Sequence, residues 1–138
     1  MLAAIPLLIF PVAAYAALAL TWGGGLYAAG AHERMSRPLF QFITAGGGVW
    51  PVSAADLILA VTLIVGFIEL LKGLGNRRIA IVNHTLSIVL FVGCLAAMLL
   101  APAFANSTFF LITLVVLLDL AAGFIVTLGQ ADADTPTG

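Results

Sequence analysis

Apolar residues in this chain fall into four long runs, set apart by short polar or glycine-rich stretches and by one long mixed segment. A helix needs about 20 apolar residues to cross the hydrocarbon core of a bilayer. The runs at 2–21, 54–72, 79–100 and 108–128 have that length and character. Lipid offers no partner for open backbone, so each is predicted to be a helix. The punctuation between them agrees. Ser53 followed by Asp56 has the form of a capping pair, and Gly73 and Gly75 close the second run. Pro102 ends the third, Asn106, Ser107 and Thr108 offer N-caps for the fourth, and Gly129 follows its last apolar residue. The expected architecture is all-α: an integral membrane four-helix bundle forming one domain over 1–129, with a disordered tail at 130–138 and a long loop between the first two helices.

That loop, 22–53, changes character along its length. It opens on Gly23-Gly24-Gly25, carries the charged run His32-Glu33-Arg34, and turns amphiphilic from Pro38 to Thr44. Trp22, Tyr27 and Trp50 flank it, and amphipathic aromatics of this kind gather at headgroup level, so they are expected to be interfacial anchors. The Gly46-Gly47-Gly48 run lacks the Lys and Ser or Thr of a nucleotide loop and reads as a flexible turn. The other connections are short. The second and third helices, and the third and fourth, are expected to be antiparallel neighbours.

Composition sharpens this picture. Of 138 residues, 63% are apolar and 8% charged, against roughly 25% charged in a soluble domain. Formal net charge is −1 and the five Lys and Arg residues are scattered, which leaves no basic surface for a nucleic acid. The single cysteine, Cys94, excludes an internal disulfide and a Cys-x-x-Cys redox pair; within an apolar run it reads as a small hydrophobe. Ala14-Tyr15-Ala16 has the look of a signal-peptidase site. No basic segment precedes it, since the first Lys or Arg is Arg34, and Pro6 and Pro11 interrupt the apolar stretch, so the first helix is expected to be retained. Lys72, Arg77 and Arg78 crowd the side shared by both termini while Arg34 and Arg37 lie on the other, which places both termini in the cytoplasm.

Against this apolar background three ionisable residues stand inside the runs: Glu69, His84 and Asp119. A charge at bilayer depth costs about 2.5–3.5 kcal/mol on insertion scales. Glu69 lies about one turn before the end of the second helix and His84 about one turn after the start of the third, so the two share a depth and are expected to pair. Asp119 lies deeper, level with Ser87, one turn beyond His84. Thr62, Gly66, Glu69 and Gly73 recur along one face of the second helix, and Asp119, Gly123 and Thr127 along one face of the fourth. Small residues let helices approach closely, so these stripes are expected to face the bundle interior, with Thr62, Gly66, Gly73 and Gly123 as packing positions. A polar network of Glu69, His84, Ser87 and Asp119 can fix helix register by hydrogen bonding, or it can relay protons or cations.

Sharper chemistries fit less well. A bis-histidine haem needs a second intramembrane His, and His32 lies in the loop. Neither a His-x-x-x-His pair nor clustered Cys supports zinc. No cofactor or metal is therefore expected. His32, Glu33 and Arg34 have the residue types for acid–base work on lipid, but adjacent residues on a loop seldom converge on one substrate, and a solvated charge run is the simpler reading.

The stretches Glu69-Leu70-Leu71-Lys72, Val82-Asn83-His84-Thr85-Leu86-Ser87, Asn106-Ser107-Thr108-Phe109-Phe110-Leu111 and Asp119-Leu120-Ala121-Ala122-Gly123-Phe124 resemble small four-span membrane proteins of alphaproteobacteria. The resemblance covers 56–127, and Asn83 stands where that group is expected to have Asp. It implies a bacterial inner-membrane location and lends no activity. The chain looks unlike the small multidrug exporters, whose essential Glu lies in the first helix. The expected role is non-enzymatic: an accessory or structural subunit of a membrane complex, or a self-associating bundle, whose partners are the lipid bilayer and other membrane subunits or further copies of the chain. The alternative is a small proton-coupled transporter or channel using Glu69, His84 and Asp119.

Overall fold

A computed structural model describes residues 5–28, 30–72 and 77–133. These residues form α1 (Ile9–Trp22), α2 (Ala31–Met35), β1 (Pro38–Ile43), β2 (Val49–Ser53), α3 (Ala54–Lys72), α4 (Arg77–Leu100), a 3-10 turn (Pro102–Phe104) and α5 (Ser107–Ala133). Three helices have stretches long and apolar enough to cross a membrane, Ala54–Lys72, Ile81–Leu100 and Ser107–Val126. The protein is mostly helical and membrane-embedded.

The first helix is shorter than the apolar run that encodes it. α1 has 14 residues, roughly 21 Å at 1.5 Å per residue, against about 30 Å for the hydrocarbon core. Pro6, Leu7 and Leu8 form a lead-in turn, with Ile9 N donating to Pro6 O and Phe10 N to Leu7 O, both at 3.1 Å. Proline sets this start. Beginning at Ile9 places Pro11 in the first turn, where its missing N–H removes no helical bond, whereas a helix from residue 2 would carry Pro11 in its interior. The chain leaves α1 through Gly24 and Gly25, at φ of 85° and 111°, and Arg34 Nη1 donates to the terminal carbonyl of Trp22 at 2.6 Å.

The long connection is not without structure. Its second half is an antiparallel hairpin in which Phe40 pairs with Val52, Gln41 with Pro51, Phe42 with Trp50 and Ile43 with Val49. The turn is closed by Gly47 N on Thr44 O and Thr44 N on Gly48 O, each at 2.8 Å. Gly47 has φ of 80°, the left-handed position that follows the type I turn of a three-residue hairpin loop. Pro51 is tolerated because a two-stranded sheet has only edge strands. Ser53 and Asp56 then form a capping box: Asp56 N donates to Ser53 Oγ (3.3 Å) while Ser53 N donates to Asp56 Oδ2 (2.9 Å).

α5 is the central helix. It packs along both α4 and α3, while α1 packs on α2, α3 and the 3-10 turn. The short loop had implied that α3 and α4 are neighbours; instead α5 lies between them and they scarcely touch. α5 also runs through Gly129 to Ala133, since an interior glycine costs only about 1 kcal/mol relative to alanine and does not by itself end a helix. Residues 130–133 of the expected tail are thus helical, and 134–138 lie outside the described residues, as do Gly73 and Gly75.

The apolar core gathers at the hairpin end, where Tyr15, Met35, Cys94, Phe104, Phe109 and Ile112 are buried together. Asn106 organises this end. Its Oδ1 caps α5 by accepting from Phe109 N (3.0 Å) and also accepts from Tyr15 Oη (2.9 Å), tying α1 to the start of α5. Tyr15→Phe is expected to cost about 1 kcal/mol, one net hydrogen bond, in a denaturant titration followed by circular dichroism. No change would mean that apolar packing alone holds α1.

Candidate functional site

The inward stripe of α3 is visible in its burial: Thr62, Gly66 and Glu69 are buried, while Leu63, Ile64, Phe67 and Ile68 face outward. Thr62 does not bond across helices; its hydroxyl donates to Ile58 O within α3 at 2.7 Å. Gly66 is a close-approach point, since a Cβ there would lie 2.8 Å from Val115 Cγ1 of α5 and 3.7 Å from Leu8. Gly73 and the Thr127 side chain lie outside the described residues.

Glu69 finds partners other than His84. Its Oε2 accepts from Leu7 N at 3.0 Å and from Lys72 Nζ at 3.2 Å. Lys72 Nζ in turn donates to Ile5 O at 3.0 Å. The two charges neutralise each other and together hold the backbone ahead of α1 against the end of α3. The expected Glu69–His84 pair gives way to this clamp because α5 separates the helices that carry them, and because Lys72, three residues on, shares the Glu69 face.

The remaining polar groups converge between α4 and α5. Ser87 Oγ donates to Asp119 Oδ2 at 3.0 Å, and both residues are buried. One turn away the His84 ring stacks on Phe124 with centroids 6.4 Å apart. A Cβ at Gly123 would lie 2.9 Å from His84 Nδ1, so the ring takes the space that any larger residue at 123 would need. Leu70, Asn83, His84, Ser87, Asp119 and Gly123 line a pocket of about 40 Å³. Two buried atoms of its lining residues, Asn83 Oδ1 and His84 Nδ1, have no hydrogen-bond partner among the described residues. Buried polar atoms are nearly always satisfied, so two orphans in one small pocket mark the most unusual spot in the molecule. Asn83 was legible only as the loss of a carboxylate beside His84; its position four residues before Ser87 was the signal that the two share a helix face.

The aromatic anchors lie elsewhere, toward the end where α1 stops and α3 begins. Trp22, Tyr27 and Trp50 are all exposed there. Trp50 shares a hairpin face with Phe42 and Phe40, at ring distances of 6.1 Å and 5.3 Å along that row. His32, Glu33 and Arg34 do not converge: the His32 ring meets Ser36, Glu33 meets Arg37, and Arg34 meets Trp22 O. No group of three or more His, Cys, Asp or Glu able to hold a metal occurs among the described residues.

Comparison of the chain with protein-family models, curated proteins and solved structures found no match.

Proposed function

We propose that the protein is a non-enzymatic, multi-pass subunit of a larger assembly in a bacterial inner membrane, with α1 and the lead-in turn before it together completing a four-span bundle alongside α3, α4 and α5. The observation that carries this reading is the face between α1 and α4. The two helices do not close on each other and leave an apolar groove of about 420 Å³ lined by Ile9, Val12, Ala16, Val89, Gly93 and Cys94, among others. Within the groove a Cβ at Gly93 would meet nothing within 4 Å. Helices associate in lipid by close packing rather than by hydrophobic drive, and an open seam with a glycine at its floor offers such packing to a helix from another chain. The hairpin adds to the same reading. It is well defined by its turn and by the capping box at its end, yet Phe42, Ile43, Val49 and Trp50 are exposed on both of its faces, a patch of the kind that marks contact with a partner or with the membrane surface.

Gly93→Leu tests this directly, because the space is open within the chain and the substitution should leave the fold intact. Extracted into native lipid nanodiscs, the wild type is expected to run as an assembly above the mass of one chain. Gly93→Leu is expected to run as a folded single chain. Wild-type particles containing one chain and lipid alone, or a Gly93→Leu assembly of unchanged mass, would overturn the proposal.

A further inference from the structure

We propose that Asn83, Ser87 and Asp119 form a binding site for a small monovalent cation of the sodium class, in the pocket between α4 and α5 that Leu70 of α3 also lines. The site goes beyond the subunit role and does not depend on it. Its wall carries a carboxylate and several neutral acceptors. Asp119, Ser87, Asn83 and His84 all line the pocket; the Asn83 amide oxygen and His84 Nδ1 are buried acceptors without a hydrogen-bond partner among the described residues, the latter when the ring carries its proton on Nε2. The hydroxyl proton of Ser87 is already given to Asp119. Hard oxygen ligands around one carboxylate suit a hard cation better than an anion.

Charge selects the valence. Among the described residues, Glu69, Lys72 and His84 are the charged or titratable groups within electrostatic reach of Asp119. Glu69 and Lys72 cancel one another in their ion pair, so an ionised Asp119 would be one uncompensated negative charge at bilayer depth, with the Ser87 hydroxyl as its hydrogen-bond donor. One monovalent cation balances it; a divalent ion would leave an excess of one positive charge. The volume, about 40 Å³, holds roughly three water-sized bodies, enough for one ion with residual water. Asn83 and Asp119 are each 8% exposed and Ser87 1%, so the ligands are fixed in place rather than drawn from a mobile surface. Water alone would satisfy the orphan atoms and leave an ionised carboxylate unbalanced at bilayer depth. A proton is the one competitor that removes the charge.

The experiment separates cation from proton. In lipid nanodiscs, dicyclohexylcarbodiimide adds to protonated carboxyls in apolar surroundings, and mass spectrometry maps the adduct to Asp119 or Glu69. Sodium chloride at about ten times its dissociation constant is expected to slow modification of Asp119 about tenfold by mass action, with potassium weaker and choline without effect. Radioactive sodium is expected to bind at one ion per chain. Asn83→Ala removes a ligand without touching the reactive carboxyl, and is expected to raise the sodium concentration for half-protection about tenfold. It also keeps the test open should Asp119→Asn fail to fold. Modification of Asp119 that falls with rising pH but ignores sodium would overturn the proposal in favour of a proton-only site. So would sodium protection unchanged by Asn83→Ala, or no saturable sodium binding.

Discussion

Replacing Glu69 by Leu is expected to destabilise the bundle by about 3 kcal/mol and to release the backbone at Ile5–Leu7 from α3. Breaking a buried charge pair by removing one partner costs about 3–5 kcal/mol. The lower end applies because Lys72, whose side chain is 25% exposed, can swing its ammonium toward the membrane surface instead of staying buried alone. The remaining cost comes from Leu7 N, which loses its acceptor. Glu69→Gln keeps a carbonyl oxygen for Leu7 N and loses only the charge, so it is expected to cost about 1 kcal/mol. The measurement is unfolding in a sodium dodecyl sulfate titration, paired with thiol labelling of Leu7→Cys in a Cys94→Ala background. Glu69→Leu should speed that labelling and Glu69→Gln should barely change it. Equal stability of Glu69→Leu and wild type would show that the segment before α1 is held by apolar contacts alone.

The same residue shows what the sequence could and could not convey. An ionisable group within an apolar run demands a partner, so the importance of Glu69 is legible from composition and position. The identity of the partner is not, because one of its bonds comes from the backbone of Leu7 and a main-chain donor leaves no trace in a residue pattern. The neighbour rule also misled: a short connection usually joins helices that pack together, yet α5 takes the place between α3 and α4. Asp119 and Ser87 were easier, since matching depth on two helices joined by a short turn fixes which side chains can meet. Helix starts set by capping chemistry, at Ser53 and Asn106, follow from local bonds and read directly. The hairpin does not. Its first strand, Pro38–Ile43, is exposed at every position, so the alternation of apolar and polar residues that betrays a half-buried strand is missing. Pro51 further disguises the second strand.

Burial divides the molecule into two ends with different chemistry. At the hairpin end the aromatic core and the Tyr15–Asn106 bond hold α1 to the start of α5. At the other end α1 is held through its lead-in by charge, by way of Glu69 and Lys72. Between these fastenings α1 stands off from α4. An element fixed at both ends and open along one side is suited to receiving a partner without unfolding, which is why the groove and not the polar pocket carries the proposed subunit role.

Glycine substitutions on two helices give the sharpest contrast. Gly66→Leu is expected to destabilise the bundle by about 1–2 kcal/mol, whereas Gly93→Leu should leave the single chain as stable as wild type or slightly more so. Both changes replace glycine with a better helix former, a gain of up to about 1 kcal/mol, so the difference must come from space. At Gly66 the new Cβ would lie 2.8 Å from Val115 Cγ1 and 3.7 Å from Leu8, and three further carbons would have to be placed beyond it. α5 lies between α3 and α4, so it cannot retreat from α3 without pressing into α4, and Leu8 is fixed by the adjacent clamp. Overpacking of this kind costs about 1–3 kcal/mol and occasionally more, enough to exceed the gain in helix propensity. At Gly93 the added carbons enter the open groove. Detergent-titration midpoints of the two variants, measured as single chains, decide the matter: similar losses of stability would mean that α1 closes on α4 in the membrane, and that the groove offered to a partner is filled from within.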